Sequence, residues 1–104
     1  MIYMVASIIL KPEKTMEFND ILEKEYLPIV AKHGSKLIAC LRTSVGNVDE
    51  VTDIWAFESL SHLERVRQEQ FLDPKYMSVR KKIRELMTAE TIKLCAALPV
   101  SPLK

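Results

Sequence analysis

Hydrophobic and polar positions along the chain change period several times, and each change marks an element. Ile2–Leu10, IYMVASIIL, is apolar almost throughout and rich in β-branched residues. At nine residues with no polar face, it reads as a strand covered on both sides. Val51–Phe57 alternates, with Val51, Asp53, Trp55 and Phe57 on one side and Thr52, Ile54 and Ala56 on the other. This is a second strand with neither face cleanly polar. Lys36–Ser44 forms a third strand, joined to Val51–Phe57 through a turn at Gly46-Asn47, so the two make an antiparallel hairpin. Thr88–Leu98 is the last strand, and Pro99 and Pro102 extend the tail beyond it.

Helical spacing fills the gaps. From Met16 to about Lys32 the apolar positions Phe18, Ile21, Leu22 and Ile29 recur on one stripe, with Thr15 as N-cap. Pro28 should kink this helix near Glu25, and Gly34 should stop it after His33. Leu60, Leu63 and Val66 step as a helix running to Phe71, capped by Ser59. Asp73-Pro74 restarts the pattern, and Tyr76, Val79, Ile83 and Leu86 make one clean stripe.

The resulting order, βαββαβ, predicts an α+β ferredoxin-like fold over residues 1–104 as one domain. Its four-stranded antiparallel sheet carries both helices on one face. The two most apolar strands, the first and third, belong in the centre. Helices then cover one sheet face, while the strands look covered on both. A second copy packed sheet to sheet answers that mismatch, giving a homodimeric α/β barrel.

Composition narrows the function classes. A chain of 104 residues with 48% hydrophobic and 28% charged residues is ordinary for a globular protein. A formal net charge of +1 gives no steering toward nucleic acid or anionic membrane. No apolar run is long enough to span a bilayer, and no signal or transit segment precedes the first strand. A cytoplasmic location is expected. Cys40 and Cys95 match no zinc spacing and read as small buried residues in a reducing compartment.

Two acids stand out. Glu25 falls on the apolar stripe of its helix, three residues after Leu22 and four before Ile29, and so should face the sheet. Asp53 lies on the aromatic side of its strand. A buried carboxylate needs a partner, a shifted pKa or a chemical role. Together the two acids could act as acid and base, with His33 as a further base near neutrality. Equally, Asp53 could pair with Arg42 or Lys93, Glu25 could reach solvent, and His33 could cap its helix. Tyr3, Trp55 and Phe57, with Arg42, are the candidate ligand contacts. A core or dimer-interface role for the aromatics competes with this. Arg80, Lys81, Lys82 and Arg84 read as a solvated helix face, with anion binding as the alternative. The sequence holds no metal-binding signature, phosphate loop or nucleophile elbow, and no cofactor is expected.

Ile54-Trp55-Ala56-Phe57-Glu58-Ser59-Leu60, Leu27-Pro28-Ile29, Lys32-His33-Gly34 and Leu98-Pro99-Val100-Ser101-Pro102-Leu103 together resemble the NIPSNAP family along nearly the whole chain. The resemblance implies a dimeric ferredoxin-like α/β barrel with a pocket between sheet and helices. Its superfamily includes cofactor-free monooxygenases and haem-degrading enzymes. Where the family's first strand usually reads Tyr-Glu-x-Arg, this chain has Tyr3-Met4-Val5-Ala6. Asp53 and Phe57 stand where His and Tyr are often found. Three readings follow: a barrel binding a small apolar or aromatic molecule, an interaction module without pocket chemistry, or a cofactor-free monooxygenase-like enzyme.

Overall fold

The computed structural model describes residues 1–104. Strands β1 (Ile2–Leu10), β2 (Lys36–Arg42), β3 (Glu50–Phe57) and β4 (Met87–Cys95) form one antiparallel sheet in the order β2-β3-β1-β4. The most apolar strands, β1 and β3, are central, as the sequence pattern requires. Helices α1 (Thr15–Ile21), α2 (Leu27–Lys32), α3 (Leu60–Phe71) and α4 (Pro74–Glu85) make the second layer, against one face of the sheet. This is the ferredoxin-like βαββαβ arrangement.

Register decides which side chains share a face. Met4 pairs with Trp55, Ala6 with Asp53 and Ile8 with Val51 across β1 and β3, while Ala6 also pairs with Ile92 and Ile8 with Glu90 across β1 and β4. These residues look toward the helices. Ala6, Ile8, Leu10, Val51, Trp55 and Phe57 join Phe18, Leu22, Val30, Val66, Val79 and Ile83 in the core. The opposite face carries Tyr3, Val5, Ile9 and Ile54; Tyr3 and Ala56 at one end of it are buried within the chain, while no helix or strand packs a second layer over the rest. Leu41, on the edge strand β2, is 55% exposed on that face.

Caps fall where the sequence places them. Ser59 Oγ accepts from His62 N at 3.1 Å to begin α3, and Asp73 Oδ1 accepts from Lys75 N at 2.9 Å to begin α4, with Pro74 in its first turn. Gly34 ends α2 at φ +89°, a left-handed conformation that a side chain would strain. Three expectations change. Thr15 lies inside α1, whose preceding residue, Lys14, makes no side-chain cap. Cys40 is exposed rather than buried, because β2 is an edge strand.

The third change is the largest. No simple kink joins α1 to α2; Leu22–Tyr26 forms a π-helical turn instead. Leu27 N donates to Leu22 O, five residues back. Pro28 has no N–H to give the carbonyl four residues before it, so the regular ladder cannot continue there. A wider turn is one way the chain accommodates that gap.

Candidate functional site

The π turn resets the stripe. In a regular helix the sequence Phe18, Leu22, Glu25, Ile29 shares a face. In the wider turn the fourth residue after Leu22 comes round instead of the third, so Tyr26 turns inward and Glu25 turns away. The Tyr26 ring meets Trp55 edge-on at 5.9 Å between centroids and Tyr76 at 5.9 Å. Glu25 Oε1 accepts from Lys82 Nζ at 2.7 Å, with the glutamate side chain 38% exposed. The expectation that Glu25 faces the sheet is therefore corrected.

Between sheet and helices lies a cavity of about 90 Å³. Its floor is the helix-facing side of β1, β3 and β4: Met4, Ala6, Ile8, Asp53, Trp55, Phe57, Glu90 and Ile92. Its walls are Phe18, Leu22, Tyr26, Leu63, Tyr76 and Ile83, with Arg67, Arg80 and Arg84 from α3 and α4. The hollow has a local cause. Ala6 sits mid-sheet between Asp53 and Ile92, and its methyl group leaves room that a larger residue would fill.

Asp53 and Trp55 are two residues apart on one strand, so their side chains stand side by side on one face. Trp55 Nε1 donates to Asp53 Oδ1 at 3.0 Å. Burial pushes the Asp53 carboxyl up to about 6; the Trp55 hydrogen bond lowers it and the negative charge of Glu90 raises it further. Asp53 does not pair with Arg42 or Lys93. Above it, Arg80 Nη1 donates to the Tyr76 hydroxyl at 3.0 Å. The Tyr26 hydroxyl is held well above the usual phenol range, first by burial and then by the adjacent Tyr76 hydroxyl. Arg80 and Arg67 also stack over the Phe71 ring, 5.6 and 5.9 Å from its centroid.

The expected site residues thus separate. Asp53, Trp55 and Phe57 line the cavity. Tyr3 is buried but belongs to the opposite sheet face, because its register partner is Ala56. Arg42 is exposed at the end of the edge strand. His33 is outside the cavity: its Nε2 lies 2.9 Å from Asp73 Oδ2 and its Nδ1 3.6 Å from Glu69 Oε2, so it ties the end of α2 to the α3–α4 junction. Hence Glu25, His33 and Asp53 do not form one constellation. Tyr26 and Glu90 were not anticipated; Tyr76 was expected only as core and Arg80 only as part of a basic helix face. Tyr76 was legible as core from its stripe, and Arg80 follows it by one helical turn; Tyr26 required knowledge of the π turn.

A family model for NIPSNAP matches residues 3–102. A solved protein from Agrobacterium tumefaciens is 28% identical, with all of both chains covered and a TM-score of 0.93. A NIPSNAP domain protein from Burkholderia xenovorans is 20% identical over 98% of this chain and 99% of its own, with a TM-score of 0.90. A cofactor-independent oxygenase from Streptomyces nogalater is 14% identical over 97% and 96%, with a TM-score of 0.72, a likeness of fold alone. No curated protein matches the chain.

Proposed function

The chain belongs to the NIPSNAP family, and from that premise we propose that it is a homodimer binding a small aromatic or largely apolar molecule in the cavity between sheet and helices. One observation carries the binding reading: a nearly buried carboxylate, Asp53, lies beside Trp55 on the floor of an otherwise mainly apolar cavity whose helix side supplies Tyr26 and Tyr76. Mostly apolar pockets with a few convergent polar groups are where small ligands bind. A purely structural core has no use for the desolvation that Asp53 suffers. The dimer reading rests on the uncovered sheet face, where Val5, Ile9, Ile54 and Leu41 would meet their counterparts in a second copy.

The test fills the cavity without touching its polar groups. Single-ring aromatic compounds should raise the melting temperature of the wild-type protein, because they bind the folded state alone. Ala6→Leu should remove that response, at a stability cost of about 1–3 kcal/mol from overpacking. An undiminished response in the variant means that the compounds bind elsewhere.

A further inference from the structure

The cavity has a deep end and a mouth. Ala6, Trp55 and Tyr76 are buried, whereas Arg67, Arg84 and Ile92 are exposed, so the opening lies between α3, α4 and the edge strand β4. At the deep end Asp53 is 5% exposed, and its only side-chain hydrogen bond is the one that Oδ1 accepts from Trp55 Nε1 at 3.0 Å. Every fully enclosed polar side-chain atom in the protein has a partner, so the second oxygen, Oδ2, is open to the cavity. An ionised carboxylate can only accept hydrogen bonds. A neutral hydroxyl costs less to bring into an apolar site than an ammonium, and it supplies the missing donor.

The mouth has the opposite character. Arg67 and Arg84 form no ion pair, and Arg80 uses one N–H on the Tyr76 hydroxyl. Two lining acids stand against these three cations, Glu90 toward the mouth and Asp53 at the deep end. Guanidinium groups favour planar oxyanions such as carboxylates. Size sets a further limit. The cavity of about 90 Å³ is smaller than the roughly 150 Å³ that encloses benzene, so one ring enters with its far end in the mouth.

We infer that the ligand is a small hydroxylated carboxylic acid of single-ring size, seated with its hydroxyl on Asp53 Oδ2 and its carboxylate toward Arg67 and Arg84. This rests on the binding reading above and gives it a substrate class. Direct titration of the full chain with 4-hydroxybenzoate, benzoate, phenol and toluene, followed calorimetrically and by NMR, tests it. 4-Hydroxybenzoate should bind about 10–100-fold more tightly than benzoate, the effect of one hydrogen bond to a charged acceptor. It should also bind at least about fivefold more tightly than phenol, which lacks the outer carboxylate. Asp53→Asn should shrink the first ratio at least about fivefold. Arg84→Gln, a surface change that leaves folding alone, should weaken both acids about equally and spare phenol. Equal binding of benzoate and 4-hydroxybenzoate overturns the inference even if Asp53→Asn fails to fold. So does Arg84→Gln with unchanged affinity for both acids. If toluene and phenol bind but neither acid does, this inference falls and the aromatic pocket stands. If none of the four binds, both fall.

Discussion

At the scale of the residue, Asp53 is the buried acid of the candidate site and should leave a mark on stability. Its native pKa of about 6 lies above the ordinary 3.8, so the folded protein holds the proton more firmly than the unfolded chain. Stability from this group therefore falls as pH rises from about 4 to about 6, and the burial penalty is complete above that range. The penalty is on the order of 2–3 kcal/mol. Asp53→Asn keeps an acceptor for Trp55 and carries no charge. In denaturant titrations the variant should exceed wild type by on the order of 2 kcal/mol at pH 8 and match it near pH 4. A difference that does not vary with pH would contradict the assignment. Asp73 runs the other way. The hydrogen bond with His33 lowers its pKa, so its contribution is present above the ordinary carboxylate value and lost as pH falls through the lowered one. Asp73→Asn should lower the melting temperature at pH 7, with the deficit closing in strong acid.

At the scale of the element, the segment from Thr15 to Lys32 shows where sequence reading succeeds and fails. Its helical character and the break before Pro28 were legible, because apolar spacing and a missing N–H act locally. The rotation of Glu25 was not, because α-helical spacing was carried across a turn that is π-helical. The error moved a candidate acid into the cavity and left out Tyr26. The two registers make opposite mutational forecasts. In the structure, Glu25→Ala breaks a half-exposed pair with Lys82 and should cost no more than about 1 kcal/mol. Tyr26→Ala removes a ring packed on Trp55 and Tyr76 and should cost at least about 2 kcal/mol. With Glu25 facing the sheet, Glu25→Ala would instead relieve a buried carboxylate and raise stability, so equilibrium unfolding of that variant decides between the two registers. Strand β3 is the contrasting case. Period two alone placed Asp53, Trp55 and Phe57 on one face, since a strand leaves no freedom in which side chains share it.

At the scale of the whole molecule, topology was readable because βαββαβ order and two strongly apolar strands leave few arrangements. The cavity was not, because it depends on Ala6 lying between Asp53 and Ile92, a cross-strand neighbourhood that only register reveals. Tyr3 was misplaced for the same reason: strand parity shows that it does not share a face with Met4, but not which face the helices cover. The uncovered face carries its own forecast. Light scattering at micromolar concentration should give twice the mass of one 12.0 kDa chain. An interface of this obligate kind buries on the order of 2,000 Å². Ile54→Asp should then yield little folded protein, whereas the same change in a stable monomer would be tolerated.

The most direct measurement uses the chain's only tryptophan. The Trp55 indole N–H points at Asp53 inside the cavity, so its ¹⁵N–¹H resonance reports on that space. A single-ring aromatic titrant that occupies the cavity should shift this resonance saturably, and Ala6→Leu should abolish the shift. If the titrant moves only resonances outside the cavity while the Trp55 indole signal stays fixed, the space between sheet and helices is not the binding site.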